Sequence, residues 1–132
     1  MSVNEIQDIT YTTSHEPDDC YEYHDVVVDF KEGPLPEIVV LCGSTRFMGA
    51  YSKANSELTL QGYVVLSVGV FNPLEEDKEH LFQLHLRKID LADRVHILNV
   101  DGYIGEGTQA KIDYAVEAGK EITYLEVPNE QN

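Results

Sequence analysis

Four short apolar runs, each followed by a polar or glycine-rich stretch, constrain this chain more than any other feature. They are Ile38 to Cys42, Tyr63 to Val68, Val95 to Val100 and Ile122 to Val127. Rich in β-branched residues and lacking strict apolar–polar alternation, they suit strands buried on both faces, as in a parallel sheet. Between them, helical periodicity runs from about Phe47 to Leu60, from Glu75 to about Ala92, and from Thr108, a plausible N-cap, to Gly119. Such a β-α-β-α-β-α-β order calls for right-handed crossovers. The expected class is α/β: a Rossmann-like (flavodoxin-like) open parallel sheet with helices on both faces.

The 132 residues suffice for one domain with its own core, expected over residues 38–132. Residues 1–37 read as an acidic N-terminal extension, partly flexible, with room for one strand or hairpin between Tyr21 and Phe30 before Gly33-Pro-Leu-Pro36 breaks it. They carry ten Asp or Glu against Lys31 alone, whereas residues 38–132 carry fourteen against eight basic residues. A net charge of -15 argues against unaided binding to a nucleic-acid backbone or an anionic membrane. A small ligand stays compatible with it, because local loops overrule global charge. The acidic segment is either simply solvated or engages a basic protein, in the sharpest form as a mimic of nucleic-acid charge.

Two cysteines, Cys20 and Cys42, imply no disulfide framework, and Cys42 at the end of an apolar strand is expected to be a buried free thiol. The N-terminus lacks a basic stretch followed by an apolar run, and no apolar stretch reaches membrane-spanning length. A cytoplasmic location is the resulting expectation.

Three strand ends carry loops able to meet a ligand. After the first strand, Gly43 allows close backbone approach, Ser44 and Thr45 bring hydroxyls, and Arg46 brings a planar cation suited to phosphate or carboxylate, followed by Phe47. After the second come Gly69, Val70, Phe71, Asn72 and Pro73. After the third, Asp101, Gly102, Gly105, Glu106, Gly107 and Thr108 lead into a helix that contains Lys111. In an open α/β sheet these loops face the binding crevice, and a helix start offers free N–H groups. Plain strand-to-helix connections are the competing reading. Neither Walker nor dinucleotide-fingerprint spacing is present.

Metal binding is not expected, since only His80 and His85 lie close in sequence, and a spacing of five sets them apart around a helix. Without a Gly-x-Ser-x-Gly elbow or a cysteine nucleophile signature, acyl transfer has no support. No cofactor is implied.

The remaining constellation resembles the nucleoside 2-deoxyribosyltransferase-like superfamily, including its 2'-deoxynucleotide N-hydrolase branch, over residues 38–127. The resemblance rests on Leu41-Cys-Gly-Ser-Thr-Arg-Phe47, on Ile89-Asp-Leu-Ala-Asp93 before a buried strand, and on Gly102-Tyr-Ile-Gly-Glu106. It rests further on Gly107-Thr108 with Ala115, and on Gly119-Lys120 closing the helix. It implies a nucleotide or nucleoside ligand, and homodimers or larger assemblies in which a neighbour completes the pocket. In such enzymes a glutamate three residues after the Thr of the Gly-Thr pair meets the sugar C1', and an aspartate eight residues before Asp93 serves proton transfer or sugar positioning. Here those positions hold Lys111 and His85.

Cleaving an N-glycosidic bond builds positive charge on the sugar, which an anion stabilises and an ammonium opposes. Losing such a group costs roughly three or more orders of magnitude in rate. The expectation is therefore a protein that binds a nucleotide or an ADP-ribose-like molecule without cleaving it, in a sensing or sequestering role. The alternative is a deoxyribosyltransferase or deoxynucleoside 5'-phosphate N-glycosidase with His85 and Glu106 as non-standard catalytic groups. His85 itself reads either as a general acid at neutral pH, as a polar donor to the ligand, or as a plain helix-surface histidine.

Overall fold

The computed structural model describes residues 33–128, and the compact unit Pro36–Asn132 carries every element below. The expected strand or hairpin between Tyr21 and Phe30, the rest of the acidic extension and Cys20 lie outside the described residues.

Four parallel strands, β1 (Ile38–Cys42), β2 (Val64–Leu66), β3 (Arg94–Ile97) and β4 (Glu121–Tyr124), form one sheet in the order β2-β1-β3-β4. The three helices are α1 (Met48–Leu60), α2 (Lys78–Leu91) and α3 (Glu106–Glu117). This is the α/β Rossmann-like arrangement, and its strand order follows the flavodoxin-like pattern.

Alternation along β1 and β3 decides which helix covers which face. Val40, Cys42, Val95 and Ile97 point one way and pack with Ile89 of α2, with Ala92 at its end, and with Ile112 and Ala115 of α3. Leu41 and Leu98 pack on the other side with Tyr51 and Ala54 of α1, whose spacing of three keeps them on one helical face. Each fully buried aliphatic side chain of this kind contributes about 1.5–3 kcal/mol relative to exposure. Helices therefore lie on both faces, one against two.

Both α1 and α3 end in the same way. The N–H of Gly119 donates to the Val116 carbonyl and that of Lys120 to the Ala115 carbonyl, both at 3.0 Å, with Gly119 at a φ of 74°. Gly62 at φ 101° and Tyr63 repeat the pattern on Thr59 and Leu58. A Schellman ending of this type places its pivot in the left-handed region, where a Cβ is strained, so glycine stops each helix and turns the chain into the next strand.

Several boundaries differ from the sequence expectation. The strands are shorter than the apolar runs: β2 stops at Leu66 rather than Val68, β3 at Ile97 rather than Val100, and β4 at Tyr124 rather than Val127. Just beyond β3 and β4 one further backbone bond each, from the Leu98 N–H to the Cys42 carbonyl and from the Leu125 N–H to the Ile97 carbonyl, ties the chain before it turns into a loop, and Leu98 stays buried whereas Val127 is exposed. Val100–Gly102 forms a 3-10 turn containing Asp101 at φ 55°. Glu75–Asp77 is likewise a 3-10 turn ahead of α2. Thr108 is not the N-cap of α3. Gly105 holds that position in extended conformation, its carbonyl accepting the Gln109 N–H at 2.9 Å, and the helix begins at Glu106. An acidic residue in the first turn is favoured by the helix dipole, while Thr108, 6% exposed, is buried within the first turn.

Candidate functional site

The topology creates a crevice where β1 and β3 lie side by side. Their following helices, α1 and α3, depart to opposite faces, so the two exit loops separate above the strand ends. The approach is close: a Cβ on Gly43 would lie 3.0 Å from the Leu98 carbonyl oxygen and 3.1 Å from the Leu98 Cβ. Tyr51 of α1 pins the same loop by donating its hydroxyl to the Gly43 carbonyl at 2.8 Å.

Two adjoining cavities open here. The larger, about 430 Å³, has an apolar wall of Val68, Val70, Phe71, Pro73, Leu81 and Phe82 and polar groups from Thr45, Asn72, Lys78, His85 and Lys111. The smaller, about 280 Å³, lies among Gly43, Ser44, Thr45, Tyr103, Gly105, Glu106, Thr108 and Lys111. Thr45, Gly107 and Lys111 line both and form the boundary between them. A mostly apolar wall with a few convergent polar groups, at this volume, is the form of a small-molecule site.

Lys111 projects from the second turn of α3 to 5.6 Å from the ring centre of Phe82 on α2. Burial lowers its pKa and nearby Lys88 lowers it further, while the Cys42 sulfur would raise it. That last influence needs a thiolate. Cys42 is a buried free thiol whose pKa desolvation pushes up to about 12, so at neutral pH it is uncharged and offers Lys111 no compensation. The ion pairs formed by described residues are Lys53–Glu57, Lys78–Glu75, Arg87–Asp90 and Arg94–Glu37, and neither Lys111 nor Lys88 takes part in one. Lys88 instead donates to the Ser67 carbonyl at 2.6 Å. A lysine held in this way is short of an anion.

His85 lies inside α2, 3% exposed, with Nε2 3.3 Å from the Cys42 Sγ, the donor being set by the imidazole tautomer. It is not a helix-surface histidine. Burial, followed by Lys111 and Lys88, pushes its pKa down to about 3 against a smaller opposing effect of the Leu41 carbonyl. It is therefore neutral at pH 7, a state that suits a polar donor or acceptor and leaves no stored proton for general-acid work.

Of the residues singled out from sequence, Gly43, Ser44, Thr45, Phe71, Asn72, His85, Gly105, Glu106, Gly107, Thr108 and Lys111 line one cavity or both. Arg46, Phe47, Gly69 and Asp101 line neither. The Arg46 guanidinium sits 4.5 Å from the ring centre of Tyr103 and donates to its hydroxyl at 3.4 Å, an outward stacking on the rim. Phe47 meets the same Tyr103 edge-on at 6.0 Å. Asp101 belongs to a separate depression with Asn99 and Glu126, its N–H donating to Glu126 at 2.8 Å. Among the described residues no group of three His, Cys, Asp or Glu side chains is arranged to hold a metal ion.

Sequence reasoning missed Lys78, Leu81, Phe82, Lys88 and Tyr103. Lys78, Leu81, Phe82 and His85 follow the i, i+3, i+4, i+7 rule, so once His85 faces the crevice the same stripe of α2 faces it too. No described helix is long and apolar enough to cross a membrane. The chain matches no family profile and no curated protein.

Proposed function

We propose that this protein binds a nucleotide or a nucleotide-derived, ADP-ribose-like small molecule across the paired cavities and holds it without breaking its glycosidic bond. The observation that carries this reading is Lys111: a partly buried ammonium, without a carboxylate partner among the described residues, on the wall common to both cavities. A buried cation in need of an anion favours phosphate, and an ammonium opposes the positive charge that glycosidic cleavage builds on a sugar. The apolar wall at Phe71 and Phe82 suits a nucleobase, and the N–H groups of the first turn of α3 suit a phosphate. Neutral His85 then serves as a hydrogen-bonding partner of the ligand.

Mass spectrometry of gently purified protein, with thermal-shift measurements over a nucleotide panel, tests the proposal. A co-purifying nucleotide, or a shift with a subset of the panel, is expected, and absence of both sinks it. Glu106 in the smaller cavity supports a second reading, a deoxynucleoside or deoxynucleotide N-glycosidase or deoxyribosyltransferase with altered groups. Release of free base, abolished by Glu106→Gln, distinguishes that reading. Activity appearing only in Lys111→Glu marks a disabled pocket instead. A homodimer or higher homo-oligomer and a cytoplasmic location belong to the same proposal; light scattering at several protein concentrations checks the former.

A further inference from the structure

We propose that Lys111 is also a covalent capture site, whose amine condenses with a phosphorylated aldehyde, such as the open-chain form of an aldose phosphate, to give an imine inside the larger cavity. This rests on the anion-binding reading of the same site and adds to it a reaction and a ligand class.

The geometry supplies what imine chemistry needs. The amine stands at the boundary of two cavities, so a carbonyl in the larger one reaches it while a phosphate occupies the smaller or lies toward Lys78. Phe82 flanks the amine at 5.6 Å, and Leu81, Val68 and Val70 continue an apolar wall beside it. Lys88, fixed by its 2.6 Å bond to the Ser67 carbonyl, stands as a second cation near the first. Desolvation together with a neighbouring cation makes a lysine easier to deprotonate, so the nucleophile is the neutral-amine fraction in equilibrium with the ammonium that attracts the phosphate. The downward shift of the Lys111 pKa has these two causes. An ion-paired lysine would be locked as ammonium, and Lys111 forms no such pair with the described residues.

The step balances without an added oxidant or reductant. The neutral amine lone pair forms a bond to the aldehyde carbon, and the carbonyl oxygen gains one of the two protons that leave the nitrogen. The resulting carbinolamine loses its hydroxyl as water together with the other nitrogen proton, leaving a C=N bond to Nζ. Hydrolysis reverses the sequence, so the capture is reversible. Neutral His85 adjoins the same cavity and adds no positive charge beside the amine.

The test uses the full chain, ribose 5-phosphate and sodium cyanoborohydride at neutral pH, followed by peptide mass mapping. Most of the recovered label is expected on Lys111 as a reduced secondary amine, with little on exposed lysines such as Lys53, and Lys111→Arg should lose it. Label spread evenly over the lysines, or an unmodified Lys111, overturns the proposal from the wild-type map alone, whatever the variant's stability. Equal labelling by ribose overturns the phosphorylated class of ligand. If nucleotides shift the melting temperature while Lys111 stays unlabelled, covalent capture fails and nucleotide binding survives. Selective labelling of Lys111 in a protein that binds no nucleotide supports capture and removes the nucleotide reading.

Discussion

At Lys111 function and stability pull in opposite directions. A desolvated ammonium without a counter-anion costs the empty protein free energy that a bound phosphate would return. Lys111→Met should therefore raise apo stability by about 1 kcal/mol while weakening nucleotide binding roughly 10- to 100-fold, as expected for loss of a charged hydrogen bond. Urea unfolding and calorimetry read the two effects, and a parallel loss of both would contradict this account. His85 makes a second prediction. Its pKa is about 3 in the folded protein against an ordinary 6.5. Between these values the unfolded chain binds more protons, so the contribution to stability is complete above about pH 6.5 and declines as pH falls. The slope approaches about 1.4 kcal/mol per pH unit. From pH 6.5 to pH 5 the wild type should lose up to about 2 kcal/mol more than His85→Gln. Equal losses would mean that His85 titrates normally.

The elements matter through how closely their ends approach. Gly43 sits where the exits of β1 and β3 nearly touch, with Leu98 backbone and side chain within 3.1 Å of any added Cβ. Gly43→Ala should destabilise by about 1–3 kcal/mol, the usual cost of overpacking, and disturb the smaller cavity that Gly43 lines. Gly107 gives the opposite result. A Cβ there meets nothing within 4 Å, and the residue is helical, so Gly107→Ala should leave stability unchanged or raise it by up to about 1 kcal/mol. Since Gly107 lines both cavities, the same methyl should weaken ligand binding. Denaturation and ligand titration of the pair separate a packing role from a binding role at two glycines of one crevice.

For the whole molecule, the formal charge of -15 opposes the approach of any anion, whereas the larger cavity presents Lys78 and Lys111 and no carboxylate among its described lining residues. The two act over different ranges. The long-range field is screened as the Debye length falls from about 30 Å at 0.01 M salt to about 8 Å at 0.15 M, and contacts inside the cavity are screened far less. Nucleotide association should therefore quicken as salt rises over that interval, measured by stopped-flow. A rate that falls with salt would show that the cavity lysines dominate the approach.

The sequence alone determined the architecture, because burial on both faces of a sheet selects continuous β-branched runs, and helix periodicity with terminating glycines at 62 and 119 leaves one economical alternation of elements. It also located the three strand-end loops, Lys111 and His85. Only the tertiary structure decided where the strands end, since hydrogen-bond partners rather than apolar content define a strand, and why α3 starts at Glu106 rather than beyond Thr108. It alone turned Arg46 outward onto Tyr103 and brought Lys78 and Phe82 inward from α2. Above all, it decided the protonation of His85 and the burial of Lys111. Desolvation depends on what packs around a group from distant parts of the chain, and no local pattern encodes it.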